Sequence, residues 1–228
     1  MIERYTRPEM GHLWSIQNEW QTILNVEIAA CEAMAELGEI PAAAVENIKK
    51  NAKFDVARIN EIEKTTDHDI IAFLTNLEEN VGEDSKYIHK GLTSSDVKDT
   101  AYCVMMRDAA AIILGDLRAF REVLRRRADE FRHTPCIGRT HGIHAEPMTF
   151  GLKLLLWSAE IERDIERLTR AQEVVSVGKL SGAVGTYSNI DPRIEELTCK
   201  KLGITPVRLA TQVIQRDRHA EFVTTLAI

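Results

Sequence analysis

Long apolar runs are missing from this sequence. No stretch approaches the roughly 18 residues a membrane-crossing helix needs. The opening MIERYTRPEM has no hydrophobic signal region, so a cytoplasmic protein with no membrane partner is expected. Cysteine is scarce: the four present (Cys31, Cys103, Cys136 and Cys199) form no CxxC pair and no repeated spacing. A disulfide framework or zinc ribbon is therefore not expected, and Cys31, Cys103 and Cys199, each in a helical pattern, read as core thiols. His141 and His144 lie three apart without a third ligand at a supporting spacing, so no metal is expected. The GxSxG nucleophile signature is absent, as is the GK[ST] that would turn SGAVGTY into a nucleotide-binding P-loop. Positive charge is in deficit. A net charge of −6 argues against nucleic acid or an anionic membrane as main partner, and any anionic ligand would need a locally positive pocket.

What remains is an ordinary globular composition, 44% hydrophobic and 28% charged, able to bury a core and dominated by helical periodicity. Leu13, Ile16, Trp20, Ile23, Leu24, Ile28 and Met34 predict a helix over 12–37, stopped by Gly38. Pro41 opens a short helix to about residue 50, Asp55 caps another to 64, and a third covers 70–81 before Gly82. Residues 95–133 contain no proline and one interior glycine, Gly115, predicting a helix roughly 55–60 Å long. Its first half, AYCVMMRDAAAIIL, is apolar nearly all round. The second half narrows to Leu117, Phe120, Leu124 and Phe131. Pro147 is expected at the first position of the next helix, running to about 177. Asp191-Pro192 starts a short helix that Gly203 closes, and after Pro206 the residues Gln212, Arg216, Asp217 and His219 lead into a last apolar helical run that reaches Ile228. Rods this long imply an all-α bundle shared between subunits: a small helical domain over 1–92, then the start of a long-helix bundle over 93–228.

The chemistry sits at junctions between these helices. Residues 136–151, CIGRTHGIHAEPMTFG, pack Arg139, Thr140, His141, His144 and Glu146 closely together, with Gly138 and Gly142 permitting unusual backbone angles. This reads equally as a polar interhelical loop or as a scaffolded reactive side chain. In KTTDHD, Thr66 or Asp67 can serve as a simple cap. A histidine between two carboxylates is also a way to raise or orient an imidazole. Thr93-Ser94-Ser95 precede a helix with Asp96 and Asp99 in its first turn. That is a good N-cap, or hydroxyls and N–H groups that bind a substrate carboxylate at the positive helix end, although the two aspartates would compete with such an anion. Arg4 and Tyr5 before Pro8 form a solvated arm or a weak anion site. Histidines beside hydroxyls, amides and arginines suit proton transfer near carboxylates.

The motifs KTTDHDIIAF, HKGLTSSDVKDTA, GRTHGIHAEPMTFG, SGAVGTY and TQVIQRDRHAEF, in this order, resemble the bacterial adenylosuccinate lyase branch of the fumarase/aspartase superfamily, and MIERYTRPEM resembles the start of its members. The resemblance runs from Met1 to Ile228. It implies an all-α, cofactor-free C–N lyase, a homotetramer, that releases fumarate from a succinylated purine nucleotide by β-elimination. A base takes the proton beside a carboxylate, an aci-carboxylate-like intermediate forms, and an acid protonates the departing nitrogen. By resemblance His141 is that acid, His68 assists it or meets the phosphate, and Asp69 orients His68. Thr93, Ser94 and Thr140 bind the succinyl carboxylates, Arg4 and Tyr5 the phosphate and ribose. Gln212 lies near the leaving group, and His89 lines the pocket. Asp67 stands where many members carry arginine, and a like charge there would disfavour a phosphate. The serine base is expected on a loop of the form SSxMPxKxNP, which these 228 residues do not contain, so this chain alone is expected to turn over little or no substrate.

Overall fold

The computed structural model describes residues 2–228. In chain order the helices and strands are α1 (Pro8–Leu13), α2 (Ile16–Glu36), α3 (Ala42–Asn51), α4 (Val56–Thr66), α5 (Asp69–Val81), α6 (Ser94–Glu130), β1 (Pro135–Thr140), β2 (Ile143–Thr149), α7 (Phe150–Val175), β3 (Val177–Gly178), α8 (Pro192–Leu202), β4 (Thr205–Pro206) and α9 (Asp217–Ala227). The fold is mainly helical, as the periodicity predicts, with two small two-stranded sheets added. Among the described residues, no helix is long and apolar enough to cross a membrane. The expected helix over 12–37 is two helices, because Ser15 leaves the helical path and its side chain accepts the Asn18 N–H, capping α2.

Two compact units divide the chain, one of residues 1–108 and 175–217, the other of 109–174 and 218–228. In the first, the helical stripes of α2, α3, α4 and α5 merge into one core. Trp20 stacks on Phe73 at 4.9 Å between ring centroids, and Phe54 meets Phe73 edge-on. Ile23, Met34, Ile48, Ile59, Ile70, Leu77 and Ile194 complete it at 1% exposure or less. The near-continuous apolar run at the start of α6 is explained there: Val97, Ala101, Cys103 and Met105 are all buried. Cys31, Cys103 and Cys199 are buried free thiols, as expected, and burial pushes Cys31 and Cys199 up to about 12.

The second unit holds a smaller cluster, Leu124, Ala128 and Leu154 with Phe131 and Ile161 against it. Four large apolar side chains of α7 in this unit, Leu152, Leu155, Leu156 and Trp157, are each exposed, between 45% and 65%. The stretch expected as an interhelical loop is here an antiparallel hairpin, β1 with β2. Pro147 does not begin a helix. It lies in β2 opposite Ile137, a position where a missing N–H is tolerated on an edge strand, and α7 starts three residues later, at Phe150.

Candidate active site

In the first unit the KTTDHD junction folds around His68. Asp67 ends α4 in the left-handed conformation (φ 49°) and His68 returns to extended backbone. The cap of α5 is therefore His68 itself rather than Thr66 or Asp67. Its Nδ1 accepts the Ile71 N–H at 3.3 Å. A ring that accepts at Nδ1 carries its neutral-state proton on Nε2, and Nε2 lies 3.5 Å from Ser94 Oγ. One side chain thus spans two helix starts, α5 and α6. Asp69 lies 3.5 Å from the same ring, but its own bonds go to the Ile70 N–H and to Lys98. Burial works to raise the Asp69 carboxyl. The Lys98 and Ile70 hydrogen bonds, with the nearby positive charge, outweigh that and hold it below its ordinary value. Asp67 is exposed.

The first turn of α6 answers the question its two aspartates raise. Asp96 is fully buried and accepts four donors: Lys179 Nζ at 2.5 Å, and the N–H groups of Thr93, Ser181 and Gly182 at 2.9–3.2 Å. Lys179, also fully buried, gives a second bond to the Gly182 carbonyl. Asp99 takes a two-pronged contact from Arg216 and the Ile214 N–H at 2.8 Å. Each negative charge is therefore met by a cation from a distant segment and cancels locally. The hydroxyls of Thr93 and Ser94 are left at the helix start, where an anion is favoured. Among the described residues, only His68 bonds the Ser94 hydroxyl and none bonds that of Thr93. The same clamps hold the SGAVGTY loop and the stretch containing Gln212. Gly185 (φ 80°) abuts that stretch so closely that a Cβ would sit 2.0 Å from the Ala210 carbonyl oxygen.

His89 lies in the turn before α6, also left-handed (φ 62°), with Nδ1 2.5 Å from Glu27. Burial opposes its charged form, yet the hydrogen bond and charge of Glu27, with a contribution from Asp96, outweigh it and raise the pKa of the ring. Arg4 lies over the Tyr5 ring at 4.8 Å, and Tyr5 is 73% exposed. Gln212 is exposed. The first unit brings His68, Asp69, Ser94, Thr93 and His89 to the N-terminal end of α6.

Thr140 and His141 belong to the second unit. His141 (φ 50°) and Gly142 (φ 75°) are the two central residues of the β1–β2 turn, both in the left-handed region, the two-residue turn that matches strand twist. His141 is exposed at its tip. Gly138 plays a different part from the one expected: it is needed for close approach, since a Cβ would meet the Glu146 carbonyl at 2.8 Å beside the bulge between Ile137 and Arg139. A cavity of about 380 Å³ in this unit is lined by Arg125, Asp129, Arg132, Leu152 and Leu155, among others, and by none of the candidate residues. Among the described residues no three His, Cys, Asp or Glu stand together as a metal site.

Sequence reasoning missed Glu27, Lys98 and Lys179. Glu27 had a signal, as a carboxylate among the buried positions of α2. Lys98 and Lys179 had none, because each finds its partner across a long chain separation.

The lyase family matches residues 3–228. Adenylosuccinate lyase of Bacillus subtilis is 51% identical over the whole chain, and that of Synechocystis sp. 55%. The chain spans about half the length of these curated relatives, 53% of each. Among solved structures, a fumarate lyase from Mesorhizobium sp. BNC1 superposes with a TM-score of 0.88 at 30% identity, covering 96% of this chain and 53% of that one. The β-carboxy-cis,cis-muconate cycloisomerase of Acinetobacter calcoaceticus gives 0.88 at 28%, covering 96% and 54%.

Proposed function

Because the chain belongs to the lyase family, we propose that it carries the acid and carboxylate-binding parts of a C–N lyase that eliminates fumarate from adenylosuccinate, leaving AMP, and from the related succinylated imidazole ribotide. The observation that carries this reading is the α6 start, where among the described residues only His68 bonds the Ser94 hydroxyl and none that of Thr93, while Asp96 and Asp99 are neutralised by Lys179 and Arg216. Hydroxyls at a positive helix end are suited to a succinyl carboxylate. His68, with Nε2 toward Ser94, donates to the same anion or to its neighbour. Thr140 adds a further carboxylate donor.

In the elimination, a base removes the proton on the carbon beside one carboxylate. The electron pair is held as an aci-carboxylate stabilised by these donors. It then collapses to the double bond of fumarate as the C–N bond breaks. His141 gives its proton to the departing nitrogen. Arg4 and Tyr5 hold phosphate and ribose, Gln212 and His89 line the pocket, and Asp67 and Asp69 border it. The base is assigned to none of these residues. The active form is a homo-oligomer, a homotetramer by resemblance, and the exposed apolar side chains of α7 support such assembly.

The test is calorimetry of the 228-residue chain with AMP and with fumarate. Binding of either, weakened about tenfold by Ser94→Ala, is expected. No binding of either ligand would leave a helical assembly module as the better reading. In the full-length enzyme, His141→Asn, which tolerates the left-handed turn, should abolish turnover without changing the melting temperature. Undiminished turnover would remove His141 as the acid.

A further inference from the structure

Glu27 is the one acidic residue among the buried positions of α2, at 1% exposure inside an apolar stripe. A carboxylate there is costly unless its oxygens are matched. Both are, and both by the same residue: Oε1 lies 2.5 Å from His89 Nδ1, and Oε2 accepts the His89 N–H at 3.0 Å. The pair bridges 62 positions of sequence, from the middle of α2 to the turn that feeds α6. One carboxylate therefore fixes the left-handed backbone of His89, its ring plane and its Nδ1 proton together. With Nδ1 so committed, only Nε2 can meet a ligand, and among the described residues nothing bonds it. The charged groups facing the ring are Glu27 from α2 and Asp96 from α6, the latter balanced by Lys179.

We propose that Glu27 is a positioning residue, which holds the His89 ring by its Nδ1–H with Nε2 presented to an oxyanion of the substrate. A buried carboxylate that served only to pin the turn could do so through the backbone N–H. The second oxygen on the ring is what orients the imidazole and favours its charged form. The proposal rests on the reading above in one respect, that His89 faces the substrate.

The experiment uses the 228-residue chain with 15N-labelled histidine. His89 ring signals, identified by their loss in His89→Asn, are followed from pH 5 to 9 in the wild type and in Glu27→Gln, an isosteric change that keeps an acceptor for the His89 N–H. Inorganic phosphate and fumarate are titrated separately by calorimetry at pH 7.5 and pH 5.5, and the one whose affinity responds identifies the oxyanion. Glu27→Gln should titrate at least about one pH unit lower and weaken that anion about tenfold at pH 7.5, with the gap closing at pH 5.5. Glu27→Asp, which keeps the charge, should restore most of both. An unchanged titration in Glu27→Gln overturns the proposal, and so does a lowered titration with unchanged affinity. If His89→Asn also leaves both affinities untouched, the placing of His89 in the pocket falls and takes this inference with it. If His89→Asn weakens binding but Glu27→Gln does not, the pocket reading stands and only the role of Glu27 is lost. A Glu27→Gln chain that does not fold is judged through Glu27→Asp, whose ring must then titrate above the ordinary histidine value.

Discussion

Asp96→Asn should be among the most damaging single substitutions in the first unit, and the reason is the cation it strands. Lys179 has 0% side-chain exposure, and Asp96 likewise. In the variant the ammonium keeps the Gly182 carbonyl but loses its paired carboxylate, and removing one partner of a buried pair costs about 3–5 kcal/mol. The three N–H bonds Asp96 accepts weaken as well, because an amide oxygen is a poorer acceptor than a carboxylate and its other end is a donor. With a urea slope near 2 kcal/mol/M for a unit of this size, the midpoint should fall by roughly 1.5–2.5 M. Fluorescence of Trp20, stacked on Phe73 in the same core, follows the transition. The decisive comparison is Asp96→Asn with Lys179→Met against Asp96→Asn alone. The double variant leaves no stranded charge and should recover a large part of the loss. A loss below about 1 kcal/mol for Asp96→Asn, or a double variant as damaged as the sum of its singles, would refute the argument.

Gly185→Ala should displace residues 210–212, because its Cβ would stand 2.0 Å from the Ala210 carbonyl in a left-handed backbone. A cost of about 1 kcal/mol or more and faster amide exchange at Ile214 are expected, and unchanged exchange would count against it. The raised pKa of His89 makes its stabilisation complete below the ordinary value near 6.5 and lost as pH rises through the higher folded value. Melting temperature should therefore fall across that upper window, and Glu27→Gln should flatten the fall. Leu156, 65% exposed on α7, should mediate self-association. Light scattering should report an oligomer, and Leu156→Glu should shift it toward monomer.

Most of the helical fold was legible because apolar spacing is local information. Trp20, Ile23, Leu24 and Met34 already trace the buried face of α2, and α3, α4, α5 and α8 begin or end at the caps that Pro41, Asp55, Gly82 and Gly203 announce. The hairpin was not. Its strands are too polar and too short for alternation to stand out, and Pro147, which usually signals a helix start, sits instead where an edge strand needs no N–H. Ser15 broke a helix that periodicity alone would continue. At the candidate site the sequence marked His68, His89, Thr93, Ser94 and His141 as chemistry-bearing. What it could not supply was their partners, since Glu27–His89 and Asp96–Lys179 lie 62 and 83 positions apart.

Those missing partners change the sign of an argument. Read locally, Asp96 and Asp99 put two negative charges in the turn where an anion should bind, which favours a mere helix cap. Once Lys179 and Arg216 are placed, that turn carries no uncompensated negative charge, and both aspartates become anchors for the loops holding Ser181 and Gln212. Lys179 and Asp96, both fully buried, then require each other, and neither could be lost alone without stranding the other, while the half-exposed Arg216 ties Asp99 from the surface. An acidic first turn is thus compatible with anion binding wherever each carboxylate is matched by a cation of its own, and the pairing, not the local charge count, decides which reading holds.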